Sequence, residues 1–399
     1  MKFKITFTVA FTIFAAANLC GAQSNHWVGA WGTSPQLTEP RNLPPAPGLS
    51  SNTLRQVIHV TIGGKKLRAR FSNAFGNSPV TIDAAHIAMS AGGGAIKTET
   101  DKVLTFDGKN SATIPAGEMV FSDPLDFDLP PLSDVAVTIH FDETSGNVTG
   151  HPGSRATSYL LAGDSVSAAD LPTAAKTEHW YILTGIDVEA ENSGAAVVTL
   201  GDSITDGRGS ETDKNNRWPD NLANRLQANE NTKGVTVLNE GIGGNCVLHG
   251  GLGPTALSRF ERDVLEQNSV RWLIVFEGVN DIGGSRGTNS TVAQDLIAAY
   301  EKFIAEAHAK NIRVYGATIT PFGKSFYDSP AHEIARQTIN DWIRSSGKFD
   351  AVIDFDAAVR DPKNPSQLSP AANSMDHLHP GVNGYQMMAD AIDLKLFEK

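Results

Sequence analysis

From Ala196 onward five short apolar runs alternate with five longer segments of helical spacing, and no other feature of the chain restricts its fold as much. The runs are Ala196–Leu200, Val235–Asn239, Trp272–Phe276, Arg313–Thr318 and Ala351–Asp354. The helical segments lie near Trp218–Glu230, Ala256–Gln267, Val292–Ala309, Ala331–Ser345 and Val382–Leu394; Leu296, Tyr300, Phe303, Ile304 and Ala307 share one helix face. Apolar runs without alternation suit strands buried on both faces. The expectation is an α/β domain over 195–399 with a five-stranded parallel sheet in flavodoxin-like order, covered by helices on both faces as a three-layer αβα arrangement.

Residues 23–190 read differently. Gln56–Ile62 and Lys66–Phe71 have near-alternating apolar positions split by Gly63-Gly64, which predicts a hairpin. Val80–Ala84, Val103–Phe106, Ser111–Ile114, Val135–Phe141 and Trp180–Val188 continue as short strands punctuated by Gly and Pro. A β-sandwich-like domain follows from that pattern. It contains no visible catalytic cluster and reads as a structural or substrate-shaping module. The polar stretch Glu189–Gly194 marks the boundary.

The 399 residues suit two domains, and 40% hydrophobic with 19% charged content suits a globular chain. A net charge of -11 argues against nucleic acid or an anionic membrane surface as partner. Lys2 and Lys4 precede the apolar Ile5–Ala17, and Cys20-Gly21-Ala22 supplies small residues, so residues 1–22 read as an export signal cleaved after Ala22. Leu19 is a poor residue before a lipid-anchored cysteine. The expectation is a secreted or periplasmic protein without a membrane span, a monomer, with Cys246 as the sole cysteine left after cleavage.

The first apolar run ends in Gly201-Asp202-Ser203, which puts a serine where open α/β sheets bind ligands. A serine there suits a nucleophile activated by a neighbouring base, or a helix N-cap. The sequence departs from Gly-x-Ser-x-Gly, because Thr205 holds the last position. Three later blocks add complementary groups: Gly241-Ile242-Gly243-Gly244-Asn245, Gly278-Val279-Asn280-Asp281 and Asp376-His377-Leu378-His379. Asp376 and His379 are three apart, so a helical turn would place them on one face, with the carboxylate holding the imidazole.

These four ordered blocks resemble the SGNH/GDSL hydrolase family over residues 196–396, and the segment around Trp27–Pro35 more loosely resembles a β-domain found ahead of some exported members. The resemblance implies Ser203 as nucleophile, His379 as general base and Asp376 as its orienting partner. Ser203, Gly244 and Asn280 are implied as the oxyanion hole. The implied activity is that of a serine esterase, free of cofactor and metal, acting on short acyl groups of a small-molecule or polysaccharide ester, acetyl foremost. A non-catalytic carbohydrate-binding protein on the same fold, or an acyltransferase to sugar acceptors, are the alternatives.

Other polar residues have plainer readings. Asp376, His377 and His379 lack a further ligand cluster for a metal, and the glycines at 241–253 lack the Gly-Lys-Ser/Thr of a phosphate loop. His377 reads as solvated or supporting, Cys246 as a buried small hydrophobe, and Asp206 as a carboxylate favoured by a helix N-terminus. Arg208, Trp218 and His249 are candidates to line the pocket.

Overall fold

All seven residues of the strand Ala195–Gly201 are buried. Its side chains alternate between two cores, as a strand's period of two requires. Ala196, Val198 and Leu200 pack with Phe303, Ile304 and Ile339 of the helices Asn289–Ala309 and Pro330–Ser345. Ala195 and Val197 pack instead with Leu222, Leu226, Tyr385 and Met388 of the helices Trp218–Gln227 and Val382–Asp390. This is a computed structural model, and it describes residues 26–190, 194–285 and 289–398. The expected export signal, residues 1–22, lies outside the described residues.

The five strands run parallel in the spatial order Val235–Gly241, Ala195–Gly201, Val270–Phe276, Arg313–Ala317, Ala351–Ile353. In chain order this is 2-1-3-4-5, and the order reverses at the first strand. The ends of the first and third strands therefore open a crevice at their carboxyl edge. The helical expectation for Ala256–Gln267 changes character midway, from an α-helix at Ala256–Phe260 to a π-helical turn at Glu261–Leu265. Among the described residues no helix is long and apolar enough to cross a membrane.

A strand-rich domain precedes this sheet. One antiparallel sheet orders His26–Gly32, Leu183–Ala190, Gly64–Ser72 and Leu125–Leu129. A larger one is centred on Asn52–Val60, Ser133–Phe141 and Val80–Gly92. Leu67, Ala69 and Phe71 of the first and Leu54, Ile58 and Val137 of the second bury into one shared core. The hairpin expected around Gly63-Gly64 does not form, because Asn52–Val60 and Gly64–Ser72 belong to different sheets. The two glycines carry the chain across the core instead. A Cβ on Gly63 would come within 2.2 Å of the Leu129 carbonyl, so the crossing requires the bare backbone.

Candidate active site

Ser203 follows the strand Ala195–Gly201 and opens the helical turn Ser203–Asp206. A Cβ on Gly201 would lie 2.1 Å from Thr205 Oγ1, so glycine permits this tight strand-to-helix passage. The capping role falls to Asp202, whose carboxylate accepts from the Ile204 N–H at 2.9 Å. That leaves the Ser203 hydroxyl free to meet His379, with Oγ and Nε2 2.8 Å apart across 176 residues of sequence.

Asp376 holds the other face of the imidazole, its Oδ2 2.6 Å from His379 Nδ1. No helix joins the two. The segment is a looped turn in which Met375 and His377 have φ of 84° and 64°. Asp376 Oδ1 accepts from the N–H groups of Leu378 at 3.0 Å and His379 at 2.8 Å. The spacing of three works because the carboxylate organises its own turn, as Asx residues do. Burial opposes the charge on Asp376, but these backbone bonds and the His379 ring hold its pKa down to about 2. His379 is pulled below the ordinary imidazole value, chiefly by burial; Asp376 opposes the shift, and Arg208 and Arg155 add to it.

Gly244 and Asn280 border the same cleft as Ser203 and His379, a space of about 330 Å³. Gly244 has φ of 73°, and no described residue accepts from its backbone N–H or from that of Ser203. The Asn280 amide is oriented from both ends. Its Nδ2 donates to the Asn245 carbonyl at 2.8 Å, and its Oδ1 accepts from the Tyr327 hydroxyl at 3.1 Å. One amide N–H therefore remains for the cleft. Asp281 fixes the glycine-rich block from below, accepting from the N–H groups of Val247 at 2.8 Å and Leu248 at 2.9 Å.

A buried charge network lies behind the nucleophile. Arg259, with no exposed surface on its side chain, donates to the carbonyls of Gly201 and Glu240 and to Asn245 Oδ1. It faces Asp263 at 3.2 Å and Glu277 at 3.4 Å. It thus ties the ends of two parallel strands to the glycine-rich block. Burial pushes Asp202 up to about 7 and, with Asp263 beside it, Glu240 up to about 8. Arg262 and Arg259 hold Asp263 down against its own burial.

The strand-rich domain, in which the sequence showed no catalytic cluster, reaches this site. Ser34 Oγ lies 2.6 Å from Asp263 Oδ2 and accepts from Arg259 at 2.8 Å. His151 bonds Asp206 at 2.9 Å, so Asp206 is an inter-domain partner as well as a residue of the first helical turn. A Cβ on Gly153 would lie 1.8 Å from Asp206 Oδ2, and so glycine is what lets the two halves close here. Arg155 and His179 also border the cleft. None of these had a local signal, since His151, Gly153 and Ser34 acquire a role only through contacts more than fifty residues away in sequence.

Of the remaining candidates, Arg208 lines the cleft, while Trp218 is fully buried against Phe276 and Phe355 in the core. His249 and Cys246 border a neighbouring cavity of about 560 Å³ on the far side of Asn280. Cys246 is buried, and burial pushes its thiol up to about 12, so it is inert as a nucleophile near neutrality. His377 Nδ1 lies 2.9 Å from the Asn373 side-chain amide.

Residues 199–387 match the model of the GDSL-like lipase/acylhydrolase family. Comparison with curated proteins finds no match. Among solved structures, the chain is similar to a GDSL-like lipase from Bacteroides thetaiotaomicron VPI-5482, at 20% identity and a TM-score of 0.35, over 49% of this chain and 84% of that one. It is also similar to an acetylxylan esterase from Geobacillus stearothermophilus, at 21% identity and a TM-score of 0.38, over 51% of this chain and 94% of that one. By the family match, the parallel-sheet domain that carries Ser203 belongs to the GDSL-like lipase/acylhydrolase family.

Proposed function

We propose that this chain is a serine esterase that cleaves short-chain carboxylic esters. The observation that carries the reading is the unbroken relay from Ser203 Oγ through the His379 ring to Asp376, with links of 2.8 and 2.6 Å. His379 Nε2 takes the Ser203 proton as Oγ attacks the ester carbonyl. The oxyanion that forms meets the N–H groups of Ser203 and Gly244 and the remaining Asn280 N–H. Collapse expels the alcohol, which leaves with the proton from His379. Water, deprotonated by the same imidazole, then releases the acid and restores Ser203.

The small cleft, at the lower end of ligand-pocket volumes, supports a short acyl group such as acetyl. The strand-rich part, 23–190, and the hydrolase part, 195–399, are read as two domains. The finer fold reading, a three-layer flavodoxin-like domain after a β-sandwich, is supported by the two helix-shared cores and the strand order. A secreted or periplasmic location remains the proposal made from the first 22 residues.

The test is hydrolysis of 4-nitrophenyl acetate by purified protein. Ser203→Ala is expected to lower kcat by about a thousandfold or more while leaving the circular dichroism spectrum and unfolding midpoint in place. Activity retained by that variant contradicts the proposal.

A further inference from the structure

Three arginines border the cleft beside Ser203: Arg41, Arg155 and Arg208. Their guanidinium groups enter no ion pair or hydrogen bond among the described residues, whereas the arginines just behind the site, Arg259 and Arg262, face carboxylates. The Nε of Arg155 is buried without a partner. The chain has 44 acidic residues against 33 Lys and Arg, so carboxylates are abundant enough to have neutralised them.

The carboxylates that share the cleft wall are engaged elsewhere. Glu39 accepts from the side-chain amides of Gln36 at 2.9 Å and Asn42 at 2.8 Å, and Asp206 accepts from His151. The backbones that deliver Arg155 and Arg208 are fixed. Arg155 sits at φ of 51° with its carbonyl accepting from the Asp213 N–H at 2.9 Å. Arg208 donates its N–H to the Ser203 carbonyl at 2.8 Å, and its own carbonyl accepts from the Tyr385 hydroxyl at 2.5 Å.

Phe326 also borders the cleft. It is 74% exposed and packs on Tyr327 at 4.3 Å between ring centroids. An exposed ring at the lip of a polar cleft offers an apolar plane to the CH face of a sugar.

We propose that Arg41, Arg155 and Arg208 form an anion subsite, and that the ester taken at Ser203 is carried by an acidic sugar whose carboxylate the arginines hold. The proposal rests on the esterase reading above and narrows its substrate class. Guanidinium groups suit this task, since their planar donors meet a carboxylate in pairs and stay charged at every working pH. A bound uronate would supply the negative charge that neither Glu39 nor Asp206 brings to the arginines, and would place its acylated hydroxyl near Ser203.

The experiment compares kcat/KM for O-acetylated oligogalacturonate and O-acetylated xylo-oligosaccharide at one pH, with wild type, Arg155→Gln and Arg208→Gln. The expected result is a preference of about tenfold or more for the acidic ester, shrinking as salt screens the arginines. Each variant is expected to reduce that preference by about tenfold. Any general effect of the lost charge on His379 cancels in the ratio. Equal rates on the two esters, or variants that lower both alike, overturn the subsite and leave the esterase reading standing.

If wild type cleaves neither these esters nor 4-nitrophenyl acetate, the esterase reading fails and binding decides the subsite. Calorimetry of Ser203→Ala with unacetylated oligogalacturonate should then show saturable binding, about tenfold weaker when Arg155→Gln is added. Absence of binding overturns the subsite.

Discussion

His151 Nε2 lies 2.9 Å from Asp206 Oδ1, and this contact fastens the helical turn that begins at Ser203 to the strand-rich domain. The other ring nitrogen, Nδ1, faces the Ser34 carbonyl at 2.9 Å. The ring thus spans Ser34 of the strand-rich domain and Asp206 of the helical turn. His151 and Asp206 are nearly inaccessible to water, and His151 stacks on Trp180 at 5.9 Å. The strand-rich half therefore closes the back of the site.

Removing the imidazole should leave Asp206 buried without its partner. His151→Ala is expected to cost about 1–3 kcal/mol of stability, the usual consequence of leaving a buried polar group without its hydrogen-bond partner. Urea unfolding of the full chain checks this, and an unchanged midpoint contradicts it. Esterase rate per folded molecule should fall too, because Asp206 belongs to the turn that positions Ser203.

Asp376→Asn separates orientation from charge. The asparagine carbonyl oxygen can still accept from the N–H groups of Leu378 and His379, so the turn should persist. Its amide nitrogen, however, offers hydrogen to His379 Nδ1 and favours the tautomer that protonates the wrong side of the ring. The expected loss in kcat is about 10³- to 10⁴-fold with little change in unfolding midpoint. A loss below tenfold would show that Asp376 does not orient the base.

Much of this was legible because it is local. A buried strand must lack charge on both faces, so Ala195–Gly201 announces itself, and a glycine before a serine marks the turn at its end. The four polar blocks lie at or just after ordered elements, where short motifs suffice to find Ser203, Asn280 and His379. The turn at Asp376 was read with the right partners and the wrong backbone, since a spacing of three fits a helix and an Asx-type turn equally. Gly63-Gly64 looked like a hairpin because pattern cannot tell a turn within one sheet from a crossing between two. His151, Ser34 and Arg155 were illegible for a different reason. Their roles arise from the closure of one domain on another, and nothing in their immediate sequence encodes that contact.

The acid limb of the activity profile should lie low. His379 must be neutral to accept the Ser203 proton, and burial, with the nearby Arg208 and Arg155, depresses its pKa below the ordinary value of 6.5. Activity should therefore rise with pH through an apparent pKa under 6.5 and remain high in mildly acidic buffer. Arg208→Gln removes one of the depressing charges, so its acid limb should move to higher pH. A profile of kcat/KM for 4-nitrophenyl acetate in wild type and variant checks both statements, and an identical limb in the two proteins contradicts the second.

Glu240 should make stability fall as pH rises, the reverse of the paired Asp376. Burial and the neighbouring Asp263 raise its folded-state pKa from the ordinary 4.5 to about 8, so between those values the unfolded chain sheds a proton that the folded chain keeps. The folded state binds more protons across that window, and its stability relative to the unfolded state declines as pH climbs through it. Asp263 is the carboxylate of the pair that keeps its charge, because Arg262, Arg259 and the Ser34 hydroxyl at 2.6 Å all hold it down. Asp376 works in the other direction, because its depressed pKa contributes stability above 3.8 that is lost as pH falls through about 2. Glu240→Gln keeps the shape and a hydrogen to donate but has no proton to lose. The variant should gain on wild type progressively from about pH 5 to pH 8, read as the difference in urea midpoint. A difference that stays constant across that range would mean that Glu240 does not hold its proton in the folded protein.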